Sequence, residues 1–204
     1  GAGGNINSGS YNTAIGGSSL EQVTSGSGNT AVGYNTGQGN EGGSYNFSFG
    51  NQANSLSGQG NCAFGYQVLR GSSTGAYNIA MGYQSGTAIS TGHYNISIGS
   101  WSLLNATDTS HSLAIGVGAL RNFNTSGDGE NVALGNEAGE NVTTGKSNTF
   151  LGYQAGRGSG NITAGNNTFI GKHAGYDATG NVNDNVAIGS GAGQNITQGY
   201  DNII

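Results

Sequence analysis

The sequence predicts an all-β fold, a parallel β-solenoid or β-roll with repeats of about 17 residues and two short strands per turn. Three observations carry this. The stretch Asn12-Thr13-Ala14-Ile15-Gly16 returns as Asn29-Thr30-Ala31-Val32-Gly33 and nine times more, its closing glycines falling at 16, 33, 50, 65, 82, 99, 116, 135, 152, 171 and 189. Within each copy apolar residues alternate, the period of a strand. The chain has 42 glycines and no proline, and glycine this dense opposes helix at about 1 kcal/mol per site against alanine. Collagen is excluded because no glycine recurs at every third position. Disorder is disfavoured because only 7% of residues are charged and an apolar column persists.

The strand comes first in each repeat. Taking its Asn as position 0, position 3 reads Ile15, Val32, Phe49, Phe64, Met81, Ile98, Ile115, Leu134, Leu151, Ile170 and Ile188. Position 1 shares that face and is rich in β-branched residues. These two columns are expected to form the buried interior. Position 2 points the other way and is mostly small: Ala14, Ala31, Ala63, Ala80, Ala114, Ala133 and Ala187, with Ser48 and Ser97, and with Phe150 and Phe169 as large exceptions. A wet strand face would carry longer polar residues, so this face is expected to pack against another chain.

Corners follow the strand, as in Gly135-Asn136-Glu137-Ala138-Gly139. A second, weaker strand is expected around residues 88–91, 141–144, 161–163 and 195–197, before a glycine turns the chain back to the next Asn. Position 0 is Asn in every full copy except at Ser112, which suits a side-chain ladder or a tight turn. Residues 1–204 read as a single array of about twelve repeats, at ~4.8 Å per turn a rod of roughly 55 Å. Both ends fall inside a repeat without a distinct cap, so the array is expected to be a segment of a longer chain.

Composition narrows function by exclusion. The net charge is −5 with five basic residues, which argues against nucleic acid as a partner. No stretch is long and apolar enough to insert as a membrane helix. The single cysteine, Cys62, takes an apolar slot of the repeat. Asp is out of register with any calcium-binding repeat, and the three histidines do not cluster, so no metal or other cofactor is expected. Glu130, Glu137 and Glu140 lie close together, but on a flat repeat surface they read as a solvated face rather than an acid/base pair. No enzymatic activity is expected. Tyr34, Tyr66, Tyr83 and Tyr153 share the slot after the repeat glycine, and Tyr11, Tyr45, Tyr77 and Tyr94 the slot before Asn. The bland reading of these columns is corner packing. The functional reading, for the first column, is a glycan-binding strip, since tyrosine offers an apolar face and a polar tip.

The repeat Asn-Thr-Ala-Ile-Gly-Tyr-Gln-Ala-Gly, seen nearly whole at residues 148–156 and 78–86, resembles the glycine-rich repeats of bacteriophage tail fibre proteins. It is similar also to the heads of trimeric autotransporter adhesins, whose repeats are shorter. The resemblance covers the whole chain. It implies a homotrimer of parallel β-rolls forming a stiff shaft or head of a virion tail fibre, in support of host receptor binding. The alternative it implies is the head of an adhesin on the bacterial cell surface, binding host or matrix ligands. The longer period favours the fibre. The partners implied are the chain itself and a host surface glycan or protein.

Overall fold

The computed structural model describes residues 1–4, 6–38, 42–54, 58–71, 74–180, 182–197 and 199–204. Among them every regular element is a strand. Thr13–Ile15, Thr30–Val32, Phe47–Phe49, Cys62–Tyr66, Ile79–Tyr83, Ile96–Ile98, Leu113–Ile115, Val132–Leu134, Thr149–Leu151, Thr168–Ile170 and Val186–Ile188 lie side by side in chain order in one 11-stranded parallel sheet. The pairing stacks like position on like: Ala14 on Ala31, Ala133 on Ala114, Phe150 on Phe169. The fold is therefore a β-solenoid of about 10 turns.

One turn shows how glycine and left-handed corners close the ring. Gly65, near the end of the strand Cys62–Tyr66, takes φ 136, a region open to glycine alone, then Gln67 at φ 53 and Leu69 at φ 49 bend the chain, and Tyr77 at φ 57 returns it to Asn78. The far wall is thinner than the sequence suggests. Among the described residues its paired strands are Thr109–Ser110 with Gly127–Asp128 and Val182–Asn183 with Gly199–Tyr200. The expected strands at 141–144 and 161–163 shrink to single bridges joining Val142, Ile162 and Gly180, and those expected at 88–91 and 195–197 are turns and irregular chain. Asn-to-Gly spacing never varies, so changes in repeat length fall on the remainder of the turn, yet all of these pairs and bridges join turns of unequal length and repeat length alone does not set where the wall pairs.

The inside and outside of the strand are the reverse of the expectation. Ala31, Ala63, Ala80, Ala114, Ala133 and Ala187 are fully buried within one chain, and Ala14 packs partly buried against Leu20, Val23 and Ala31. They line the interior and are not available to another chain. Ile15, Phe49, Phe64, Met81, Leu134, Leu151 and Ile188 are exposed, and Val32, Ile98, Ile115 and Ile170 are half-buried. These eleven face outwards.

The physical cause is the asparagine. Position 0 has the same parity as position 2, and the Asn side chains form an internal ladder. Asn78 Nδ2 donates to Gly92 O at 2.8 Å, at the corner that leads into the next turn's strand, while its Oδ1 accepts the Asn95 amide at 2.9 Å. Alanine follows because the two walls stand close together. The corner residue opposite completes the fill. Leu20, Leu69, Leu103 and Leu120 are buried beside small position-2 residues. Where Phe150 and Phe169 enter, that corner is Gly156 or Gly175, and a Cβ on either would overlap the Phe ring of its own turn. The break in the Asn ladder is packing too. The buried Phe123 ring sits so near Ser112 Oγ that a Cβ on Gly129 would meet both at 2.6 Å.

Candidate functional site: an exposed apolar face with aromatic edges

The outward face of the sheet is built from positions 1 and 3. Side chains there keep much of their surface: Phe47 41%, Ile79 40%, Met81 39%, Leu134 42% and Ile188 60% exposed. No charged residue occupies either column along the sheet. Phe49 and Phe64 stack at 4.9 Å with their rings 6° apart. Cys62 sits in this face between Phe47 and Ile79, and burial pushes its thiol above the ordinary value.

Aromatic columns border the face on both sides. Before the strand, Tyr77 stacks on Tyr94 at 5.2 Å and Tyr94 on His111 at 5.2 Å, and His111 Nδ1 lies 2.8 Å from Asp128. After the strand, Tyr66 stacks on Tyr83 at 5.4 Å, and Trp101 meets Tyr83 edge-on at 5.8 Å. The four tyrosines expected as one strip thus separate. Tyr66 and Tyr83 are brought together. Tyr34 instead lies over Gly17, and Tyr153 packs against His173 at 5.6 Å. Stacked rings also cover one another's faces and present their edges, so this is not a row of flat platforms.

Beside that column runs an amide ladder that the sequence reading did not single out. Gln67 Nε2 donates to Gln52 Oε1 at 2.8 Å, Gln84 Nε2 to Gln67 Oε1 at 2.9 Å, and Trp101 Nε1 to Gln84 Oε1 at 3.1 Å. The signal was present in the sequence: Gln at 52, 67 and 84 holds the same place two residues after the repeat glycine.

Two of the three carboxylates gather round arginines, while Glu130 stands apart and accepts from Ser147 Oγ at 2.9 Å. Glu140 lies 2.9 Å from Arg157 and 3.7 Å from Arg121, and Glu137 lies 3.1 Å from Arg157. The bond to Glu140 is the main cause that holds the Arg157 guanidinium above its ordinary value, against the opposing effect of burial. This is a network across turns. Among the described residues no three His, Cys, Asp or Glu side chains come together as a metal site, and no helix is long and apolar enough to cross a membrane.

Comparison with known protein families, characterised proteins and solved structures finds no match to this chain.

Proposed function

We propose that this chain is a structural segment of a bacteriophage tail fibre, a stiff homotrimeric shaft that holds a host-receptor-binding part away from the particle. The observation that supports the reading is the uncharged apolar face of the sheet. With strands ~4.8 Å apart and ~3.3 Å per residue, eleven three-residue rungs cover roughly 48 by 10 Å, about 500 Å2 in flat projection. That is near the upper end of what a soluble monomer exposes, roughly 300–600 Å2, before side-chain relief and the aromatic edges are added. Three copies packed on this face would bury it. A fibre needs its ends to differ, so the copies run parallel about an axis along the rod. A two-fold axis across the rod would cancel that polarity. The number three comes from the resemblance of the repeat.

The interchain face in this reading is the column of Ile98, Ile115 and Leu134, and not the alanine column. The test is light scattering on wild type and on an Ile98→Arg plus Leu134→Arg double variant. A wild-type trimer and a variant monomer with its β signal intact support the reading. A wild type that stays monomeric at high concentration overturns it.

The adhesin head is favoured by one observation. Exposed aromatic edges offer a ligand surface for which a bare shaft has no use. Retention of the trimer on host cells or matrix proteins would favour that reading, and its absence the shaft.

A further inference from the structure

We infer that the edge formed by Gln52, Gln67, Gln84, Tyr66, Tyr83 and Trp101 is a binding strip for an extended neutral polysaccharide laid along the solenoid axis. The inference goes beyond the shaft reading and stands for fibre and adhesin alike.

The amide ladder leaves hydrogen-bonding capacity over. A carboxamide has two N–H donors and a carbonyl with two lone pairs. Gln67 uses one donor towards Gln52 and one lone pair towards Gln84, and Gln84 likewise uses one of each towards Gln67 and Trp101. One donor and one lone pair remain on each of Gln67 and Gln84, which lie ~4.8 Å apart in neighbouring turns. Beside them Tyr66, Tyr83 and Trp101 are 40%, 44% and 38% exposed. A column of paired donors and acceptors next to a column of apolar ring edges matches a sugar polymer, in which each unit carries hydroxyls that both give and accept and an apolar C–H surface.

Other polymers fit worse. An extended peptide would pair with backbone groups. Here the amides of Gln52, Gln67, Gln84 and Trp101 already donate to Tyr34, Asn51, Tyr66 and Tyr83. A nucleic acid or acidic polysaccharide would meet a chain of net charge −5. Arg121 lies 5.7 Å over the Trp101 ring with its charge shared with Glu140 at 3.7 Å, and exposed Arg70, three residues after Gln67, is the other cation in these turns. The strip ends where the columns change. Beyond Trp101 the next turn offers Val117 and Gly118.

Trp101 is the only tryptophan in the chain, so its emission reports on the strip without any label. Wild type is titrated with cellohexaose, laminarihexaose, maltohexaose and mannohexaose, with the matching disaccharides, and with hexagalacturonate as the charged control. Light scattering on the same samples reads the assembly state, so loss of the trimer and loss of binding are separate results. The expected result is a saturable shift with at least one neutral hexasaccharide at millimolar concentration or below, stronger than with its disaccharide. Gln67→Ala and Tyr83→Ala each weaken it about tenfold, and Ser147→Ala on the opposite edge leaves it unchanged. Should Gln67→Ala lose its β signal, Tyr83→Ala decides. No shift with any neutral hexasaccharide, a response to hexagalacturonate alone, or a response that survives Tyr83→Ala overturns the inference.

Discussion

At the residue scale, the parity of asparagine decides which way the strand faces. A column of large apolar residues beside a column of alanine normally puts the larger residues inside, because they gain more from burial. The Asn ladder reverses this. Its carboxamides must be paired inside the turn, as Asn29 is with Gly43 O at 2.8 Å at the adjoining corner, and parity carries Ala31 in with it. The repeat was legible from the residues alone. The facing was legible too, had position 0 been read as an inward ladder.

The same interior contains one unsettled turn. Asn54 is 4% exposed with both side-chain polar atoms unpartnered, and Ser48 Oγ is unpartnered beneath the same strand. By contrast, Ser97 is satisfied by Ser85 and Ser102 at 2.8 and 2.7 Å. Leu69 and Leu103 occupy the slot of Asn54 in other turns with similar left-handed φ of 49 and 44. Ser48→Ala with Asn54→Leu should therefore stabilise the chain by about 1–3 kcal/mol, the usual cost of an unsatisfied buried polar group. Thermal unfolding checks this, and a lower midpoint in the double variant would mean that those atoms are satisfied. Phe150→Ala should act oppositely. Its neighbours Gly139 and Gly156 cannot collapse into the void, so a loss of about 3–5 kcal/mol is expected in the same assay.

At the element scale, the turn is defined by two kinds of glycine. Gly116, at φ 136, lies under the carbonyl of Gly135 in the next turn, which any Cβ would overlap. Gly118, at φ 68, has only Glu137 Cγ near it, at 3.7 Å. Gly118→Ala should cost about 1–2 kcal/mol, the left-handed penalty alone. Gly116→Ala combines a steric overlap with a forbidden backbone and should cost clearly more. Chemical denaturation ranks the two, and equal losses would show that the stacking of glycine on glycine is not what spaces the turns. The strand wall was legible because its spacing never changes. The far wall was less so: its residues alternate well enough at 141–144, yet only Val142 pairs there, in a single bridge to Ile162.

At the scale of the whole molecule, a rod one chain thick buries its alanine and corner columns, yet leaves the large apolar side chains of positions 1 and 3 on its outer face. The outward turn of Ile98 and Leu134 makes them the contact surface for whatever covers the sheet, and Cys62 reports on that surface as the chain's only thiol. Burial holds the Cys62 thiol above its ordinary value, so at neutral pH its thiolate fraction is lower than that of a free cysteine. Alkylation of the separate chain should therefore be slow at neutral pH and rise as pH climbs past the usual thiol range. Assembly on this face should slow it further at every pH. Comparing wild type with Ile98→Arg plus Leu134→Arg separates the two effects, because both substitutions lie on other rungs of the face. Faster alkylation in the variant, with the pH dependence kept, places Cys62 within the contact. Equal rates alongside a wild-type trimer would mean that the copies meet through another surface, and the apolar face would then need a different occupant.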